Sequence, residues 1–380
     1  MSPTNPRPGA TASGPPVYLD ANPLSDRHLT GIGRYAARLA LAMHSIRPVR
    51  FFLGDRVVTP PADLSWDQDQ DLGVWARRVC SGTKTPIGQP PAGSIGIWPL
   101  LRPVERRFDH EVSILHDLTP LLLPQTHRAE TRANFQGFCA KAVATSDTAL
   151  AVSESTRADA EWLTAIDPSR IVVAPSGPSL CVGRHAARST VQRRSNVGLV
   201  VSTLEPRKNP EFFCDWFHSS TVLPDDAELW WVGSIGWITS RRDLKTFERR
   251  PGSRRRIRFL GVVADARLCQ LYQTASYSAY PSLYEGFGFP VLDSLRHQTP
   301  VLAAQNSSIR EFALPGLFFF DPADPATLDA AYARCQLEAV GRPIEQAPLD
   351  AAYSWTNVAR TILTDCSARG ERAAASTAAA

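Results

Sequence analysis

The chain has 380 residues, long enough for two cores of ordinary domain size. With 43% hydrophobic and 21% charged residues it is neither a disordered chain nor a set of bilayer spans, and no apolar run is long enough to cross a membrane. The net charge of +4 is too small to imply nucleic acid, and seven cysteines without a C-x-x-C pair argue for a reducing compartment and against a disulfide framework or zinc site.

Met1 to Pro16 is rich in Pro, Ser, Thr and Gly and has no apolar h-region, so it reads as a disordered leader rather than a secretory signal. Val17 to Asp20 is the first strand. The glycines of Leu29-Thr30-Gly31-Ile32-Gly33-Arg34-Tyr35 then open a helix with apolar residues at Ala36, Leu39, Ala40 and Met43. This Gly loop can approach a phosphate, but it lacks the third glycine of the dinucleotide fingerprint. Arg50 to Leu53 is a second strand. Asp67-Gln68-Asp69 matches a metal-binding D-x-D pattern, yet it has no strand before it and reads as an exposed polar loop. Ser94 to Leu101 holds another short apolar segment.

Glu111 to Leu115 is a strand that runs into His116-Asp117, at the strand end where open α/β sheets keep their chemistry. A helix is expected from Arg128 to Ser146, a strand from Ala149 to Val152, and a helix from Arg157 to Ala165, with Ser153 and Ser155 as capping residues. Ile171 to Ala174 is a strand. The polar, basic stretch from Cys181 to Asn196 reads as the inter-domain linker.

The pattern then restarts. Val197 to Val201 is a strand, followed by Leu204-Glu205-Pro206-Arg207-Lys208-Asn209 and a helix with Phe212, Phe213 and Trp216 on one face. Strands at Leu229 to Val232 and Ile257 to Leu260 each end in glycine, and Ala264 to Thr274 is helical. A short apolar segment ends at Tyr280, before Glu285-Gly286-Phe287-Gly288-Phe289-Pro290-Val291-Leu292-Asp293. This is a strand, a Gly loop and a helix start, with Pro290 where its missing N–H costs nothing. Free amides and the positive end of the helix dipole meet there, which favours an anion. Glu285 and Asp293 bracket the loop, so the N–H groups can take a diphosphate while the acids take hydroxyls. Strands at Val301 to Ala304 and Leu317 to Phe320 follow, with a helix holding Glu311 between them, and then helices at Ala326 to Leu337 and Thr356 to Cys366. Strands alternating with helices in both halves predict two α/β domains with parallel sheets. Facing sheet edges would bring His116, Lys208, Glu285 and Asp293 to one cleft.

These motifs, with Gly31-Ile32-Gly33-Arg34-Tyr35, His116-Asp117 and Ser153-Glu154-Ser155-Thr156 in the same order, resemble the family 4 glycosyltransferases from about residue 17 to about residue 366. The likeness leans towards bacterial polysaccharide mannosyl- and rhamnosyl-type enzymes. It implies the GT-B fold, two Rossmann-like domains facing across a cleft. It also implies retaining transfer of a hexose from a nucleotide-diphosphate sugar, with GDP-mannose favoured, to a glycan or lipid-linked glycan acceptor in the cytoplasm, without metal or other cofactor. The implied boundaries are 17–190 for the acceptor domain, 195–354 for the nucleotide-sugar domain, 355–366 for a helix crossing back, and 367–380 for a disordered tail.

By the same resemblance, His116, Glu285 and Lys208 are catalytic. Gly33, Arg207, Lys208, Glu285, Gly286, Phe287, Gly288, Phe289 and Asp293 hold the donor, and no residue holds a metal. Asp293 stands where the family commonly has Glu to grip the ribose, and Ser202-Thr203 stands where some relatives have Gly-Arg. The Asp293 change leaves open a binding protein that lost catalysis. A hydrolase would need two carboxyls at a defined gap, and a dehydrogenase lacks its fingerprint. Nine Lys or Arg residues between Arg241 and Arg258 read either as a solvated face or as a contact with an anionic membrane surface at its inner face. No apolar face accompanies them in sequence, which favours the first.

Overall fold

The computed structural model describes residues 15–26, 28–100, 102–136, 140–180, 193–236 and 241–379. Two sheets form its frame. The first takes β1 (Val17–Asp20), β2 (Val49–Leu53), β3 (Arg56–Thr59), β4 (Thr83–Pro86), β5 (Ile95–Trp98), β6 (His110–Leu115), β7 (Thr148–Ala151) and β8 (Ile171–Val173) in the order β4-β3-β2-β1-β5-β6-β7-β8. It is parallel except at one margin, where β2, β3 and β4 pair antiparallel. Neither β3 nor β4 is legible in sequence. Both lie at the outer margin, and β4 is exposed at every position, so the apolar signal of a buried strand is absent.

The second sheet takes β9 (Arg194–Val201), β10 (Glu228–Val232), β11 (Arg256–Gly261), β12 (Ala275–Tyr280), β13 (Val301–Ala304) and β14 (Leu317–Phe320) in the order β11-β10-β9-β12-β13-β14, all parallel. This order reverses between β9 and β12. The loops after those two strands therefore diverge to opposite faces and leave a crevice at the carboxyl edge. In the first sheet the reversal falls between β1 and β5.

Two expectations change. Of the expected Arg128 to Ser146 helix, Ala129–Asn134 and Ala140–Ala144 are helical, and residues 137–139 lie outside the described set. The segment holding Glu311 is a short 3-10 turn, Ser307–Glu311. The final helix runs from Trp355 to Ala379, through the tail expected to be disordered; alanine has the highest helix propensity, so a low-complexity Ala run can be helix. Residues 181–192 of the expected linker and 1–14 of the leader lie outside the described residues. Among those described, no helix is long and apolar enough to cross a membrane.

The two halves share one apolar cluster. It runs from Tyr35 and Leu39 of the Gly31–His44 helix through Phe287, Val291 and Leu295 to Trp355 and Val358. Trp355 fixes this junction: its ring lies 5.0 Å from that of Tyr35 and 6.1 Å from that of Phe289, and its Nε1 donates to the Pro178 carbonyl at 2.7 Å.

Candidate active site

The loops after β9 and β12 build the site. After β9 the chain makes the 3-10 turn Pro206–Lys208 and then bends at Asn209, which is left-handed at φ 54° and opens the helix Pro210–Ser219. A non-glycine residue adopts that conformation readily only as Asn or Asp. The bend turns Arg207 and Lys208 back to the sheet edge. After β12 the chain passes Glu285 and turns at Gly288, with φ 115°, into the helix Phe289–Arg296. No side chain caps that helix; Pro290 has no N–H, and the Val291 and Leu292 amides turn back to the Gly288 carbonyl at 3.0 and 3.5 Å, so the loop amides before Pro290 are the ones left to face the crevice.

Lys208 and Glu285 meet there. The Lys208 ammonium lies 2.5 Å from one Glu285 oxygen, and Arg207 lies 3.0 Å from the other. Arg207 also pairs with Glu205 at 3.0 Å. All four side chains are nearly buried. Burial alone would raise the Glu285 carboxyl, but Arg207 and Lys208 overcome it and hold it at about 2. Burial, with Arg207 beside it, lowers the Lys208 ammonium, against the pull of Glu285. Burial also opposes the charge on Arg207, yet Glu285, Asp117 and Glu205 raise it above its ordinary value. Two cations thus stand at a helix N-terminus, matched by two carboxylates of the same domain. Glu205 was not singled out in sequence, although its place beside Arg207 was the available signal.

The opposite wall comes from the first domain. His116 follows β6 and is half-buried, with its ring edge-on to Tyr35 at 4.8 Å. Its Nε2 lies 2.8 Å from the Pro99 carbonyl, which can only accept, so Nε2 carries the proton and Nδ1 is left as an acceptor. Burial lowers the ring's affinity for a second proton, so His116 is neutral at pH 7. The His116 carbonyl presses on Gly286: a Cβ at that glycine would stand 1.6 Å from the oxygen. Thr156 donates its hydroxyl towards both the His116 and Gly286 carbonyls, each at 3.3 Å.

Gly33 and Asp293 sit differently from their expected roles. Gly33 is buried, and a Cβ there would meet the Pro23 carbonyl at 2.6 Å, so close packing within its own domain accounts for the glycine. Gly31 is the exposed glycine of that loop and faces Phe289. Asp293 is buried, and its carboxylate accepts from the Ser179 and Leu180 amides at 2.9 and 3.0 Å and from the Ser179 hydroxyl. In this structure the crossover segment, not open cleft, faces the second acid. Burial raises its carboxyl. Phe287 and Phe289 pack their rings 5.4 Å apart and contribute backbone rather than side-chain polarity to the loop.

Contacts the sequence did not signal hold the two walls together. Arg34 pairs with both oxygens of Asp265 across the cleft. Tyr284 donates to Asp159 at 2.7 to 2.8 Å. Glu311 accepts from the Glu154 and Ser155 amides at 3.0 and 2.8 Å and from the Ser155 hydroxyl at 2.6 Å, capping the helix Glu154–Leu163 from the other domain. Asp67 accepts within its own loop, its carboxylate from the Asp69 amide at 2.9 Å and its carbonyl from the Gln70 side chain at 2.8 Å. Among the described residues no three His, Cys, Asp or Glu side chains gather as a metal site.

Comparison with known proteins places this arrangement. Residues 195–336 match the family model for glycosyl transferases group 1. The O-antigen chain mannosyltransferase B of Escherichia coli is 24% identical over 347 residues, which are 80% of this chain and 86% of that one. The serotype-specific mannosyltransferase WbdA of Escherichia coli is 26% identical over 266 residues, 65% of this chain but 32% of that longer protein. The Anabaena HepE structure with UDP and glucose superposes with a TM-score of 0.58 at 16% identity, covering 92% of this chain and 98% of that one. The fold is GT-B, as the motifs led one to expect. The chain is similar to bacterial glycosyltransferases over most of its length, and its residues 195–336 match the group 1 domain.

Proposed function

We infer that the chain transfers a hexose, with retention, from a nucleotide-diphosphate sugar to a glycan or lipid-linked glycan, without a metal ion. Transfer of mannose is in keeping with the two mannosyltransferase relatives, and the GDP form of the donor is the one the motifs favour. The reaction is assigned to the cytoplasm on the five free cysteines among the described residues. One observation carries the reading: Arg207 and Lys208 stand nearly buried at the switch-point crevice, beside the uncapped helix that starts at Phe289.

A departing nucleoside diphosphate gathers negative charge on its phosphate oxygens. Two fixed cations and the amides of the Gly286 to Phe289 loop stabilise that charge in a dry cleft with no reorganisation at the moment of reaction. The anomeric C–O bond breaks, and its electron pair goes to the phosphate oxygen. The acceptor hydroxyl bonds to the same face of the sugar and gives its proton to that oxygen. An incoming diphosphate would take Lys208 and Arg207 from Glu285 and free that carboxylate for sugar hydroxyls. His116 presents a neutral Nδ1 acceptor on the opposite wall.

A second reading, a nucleotide-binding protein with weakened catalysis, draws on Asp293, whose oxygens are taken by Ser179 and Leu180. Hydrolysis of a nucleotide sugar in the absence of acceptor would discard it. The main test is a thermal-shift panel of nucleoside diphosphates with and without EDTA. One nucleotide should raise the melting temperature equally in both, and Lys208→Ala should abolish the rise. Loss of the rise on chelation would reject the metal-free site.

A further inference from the structure

The two passages of chain between the domains line a cavity of about 350 Å³. One passage is Pro178 to Leu180, the other Tyr353 to Trp355. The first domain adds Arg38, from the helix Gly31–His44, and Gln68 and Asp69 of the D-x-D turn, which has no part in the donor site. The second adds Arg296, the last residue of the helix Phe289–Arg296, and Asp350, from the helix Ala347–Ala352. The length of the Phe289–Arg296 helix, about 10 Å, parts Arg296 from the Gly loop. The cavity is therefore separate from the diphosphate crevice.

Arg38 lies deepest, at 4% exposed. It donates Nε to the Ser179 carbonyl at 3.1 Å and Nη1 to the Gln68 carbonyl at 2.6 Å. Its other N–H groups, both of those on Nη2 included, meet no acceptor among the described residues. Donors buried in that way are costly unless something accepts from them. Asp69 is the complementary group: its carboxylate takes no hydrogen bond or ion pair among the described residues. The two line one cavity with bonding capacity unused and do not pair with each other. Nearer solvent, Arg296 pairs with Asp350 at 2.5 Å, and the Asp350 side chain is 58% exposed.

Two guanidiniums and two carboxylates cancel in charge, so an anion gains nothing here over water. A neutral ligand with many hydroxyls fits better, because each hydroxyl donates to a carboxylate and accepts from a guanidinium. Pro178, Leu180, Tyr353 and Trp355 add apolar wall for the C–H face of a sugar ring. The volume is that of a small-molecule site.

We propose that this cavity binds a neutral oligosaccharide and that the two domains share it. Arg38 and Asp69 hold it from the first domain, Arg296 and Asp350 from the second. A bound sugar therefore ties the domains in the arrangement described above. Ser179 carries the effect to the donor side: its carbonyl accepts from Arg38, while its amide and hydroxyl donate to Asp293. That the sugar belongs to the acceptor glycan, gripped away from its reacting end, rests on the transfer reading; that the cavity takes a sugar does not.

The test is saturation-transfer NMR of the full chain, titrated with mannobiose, maltose and cellobiose, with inorganic phosphate as competitor. At least one disaccharide should bind wild type and Lys208→Ala alike, and phosphate should not displace it. Asp69→Ala with Asp350→Ala should weaken that binding roughly tenfold or more, because hydrogen bonds to charged groups are lost. Asp69→Ala alone, which removes no side-chain contact within the protein, should show part of the loss. Absence of binding, or displacement by phosphate, would overturn the proposal. So would equal binding in the double variant or loss in Lys208→Ala, either of which puts the sugar in the cleft. Saturating disaccharide should also lower the nucleoside diphosphate concentration needed for half the thermal shift in wild type but not in the double variant. An unchanged half-point would overturn the tie between the domains. Without sugar, the nucleotide thermal shift of the double variant should match wild type. That verifies its folding and separates a failure here from a failure of the donor reading.

Discussion

Glu285 keeps its charge inside the protein because Arg207 and Lys208 outweigh the burial that opposes it, and this links stability to pH with a definite sign. Its carboxyl titrates at about 2 in the fold against an ordinary 4.5, so its contribution is full above the ordinary value and is lost as pH falls from there towards 2. In urea melts across that window, Glu285→Gln should flatten the acid slope. At pH 7 the same change should cost about 3 kcal/mol or more, since two buried cations lose their main counter-ion. A nucleoside diphosphate supplies the missing anion, so it should stabilise the variant more than wild type while sugar transfer falls. Acid slopes that run parallel in both proteins would show that Glu285 is not held by this pair. At this scale the sequence was informative where chemistry is local: Lys208 and Glu285 each end a strand-to-loop junction. It singled out Asp293 for the ribose but was silent on its partners Ser179 and Leu180, which lie 114 and 113 positions away. A carboxylate one methylene shorter than the family's usual Glu gives no sign of which amides it will reach.

The Gly loop and its helix matter as a unit because their backbone is seated against the other domain. Gly286 has no room for a side chain, with the His116 carbonyl 1.6 Å from where a Cβ would stand. The obstructing atom is main chain, so it cannot rotate aside, and relief comes from parting the domains. Gly286→Ala should therefore lower the transfer rate roughly 10²-fold, the scale of an ångström of misplacement. Nucleotide binding at Lys208 and Arg207, both on the same side of the cleft as the loop, should stay within a few-fold in the thermal-shift measurement. If both fall together, the loop has collapsed rather than moved away from His116. Most elements that carry this geometry were legible, since buried parallel strands give short apolar runs and their loops give Gly and Pro. The polar hairpin of β3 and β4 gave no such run. The helical tail was misread because an Ala-rich segment satisfies both a disorder pattern and a helix propensity.

Three of the contacts that hold the whole molecule shut converge on one helix of the first domain. Glu311 caps Glu154–Leu163, Tyr284 reaches Asp159 one turn and a half along, and Thr156 holds the Gly286 carbonyl. The cap is also tied to the site. Ser307, in the same 3-10 turn as Glu311, accepts from the Glu285 amide at 2.9 Å, and Ser308 donates to the Glu285 and Phe287 carbonyls. Docking of that turn on the helix therefore fixes the loop that bears Glu285. None of this was readable from the chain order, because a 3-10 turn and a helix 157 positions apart have no shared pattern. Glu311→Ala removes an anion from a helix N-terminus, where it is worth about 1 kcal/mol, and should shift the molecule towards an open form. X-ray scattering should report a larger radius of gyration for the free variant, and saturating nucleotide should bring it back to the wild-type value. The transfer rate should fall while the nucleotide concentration needed for half the thermal shift changes little, because Arg207 and Lys208 are untouched. Identical scattering curves together with an unchanged rate would mean that the cap on Ser155 does not govern closure. Loss of nucleotide binding as well would mean that Glu311 supports the donor loop within its own domain rather than through the other.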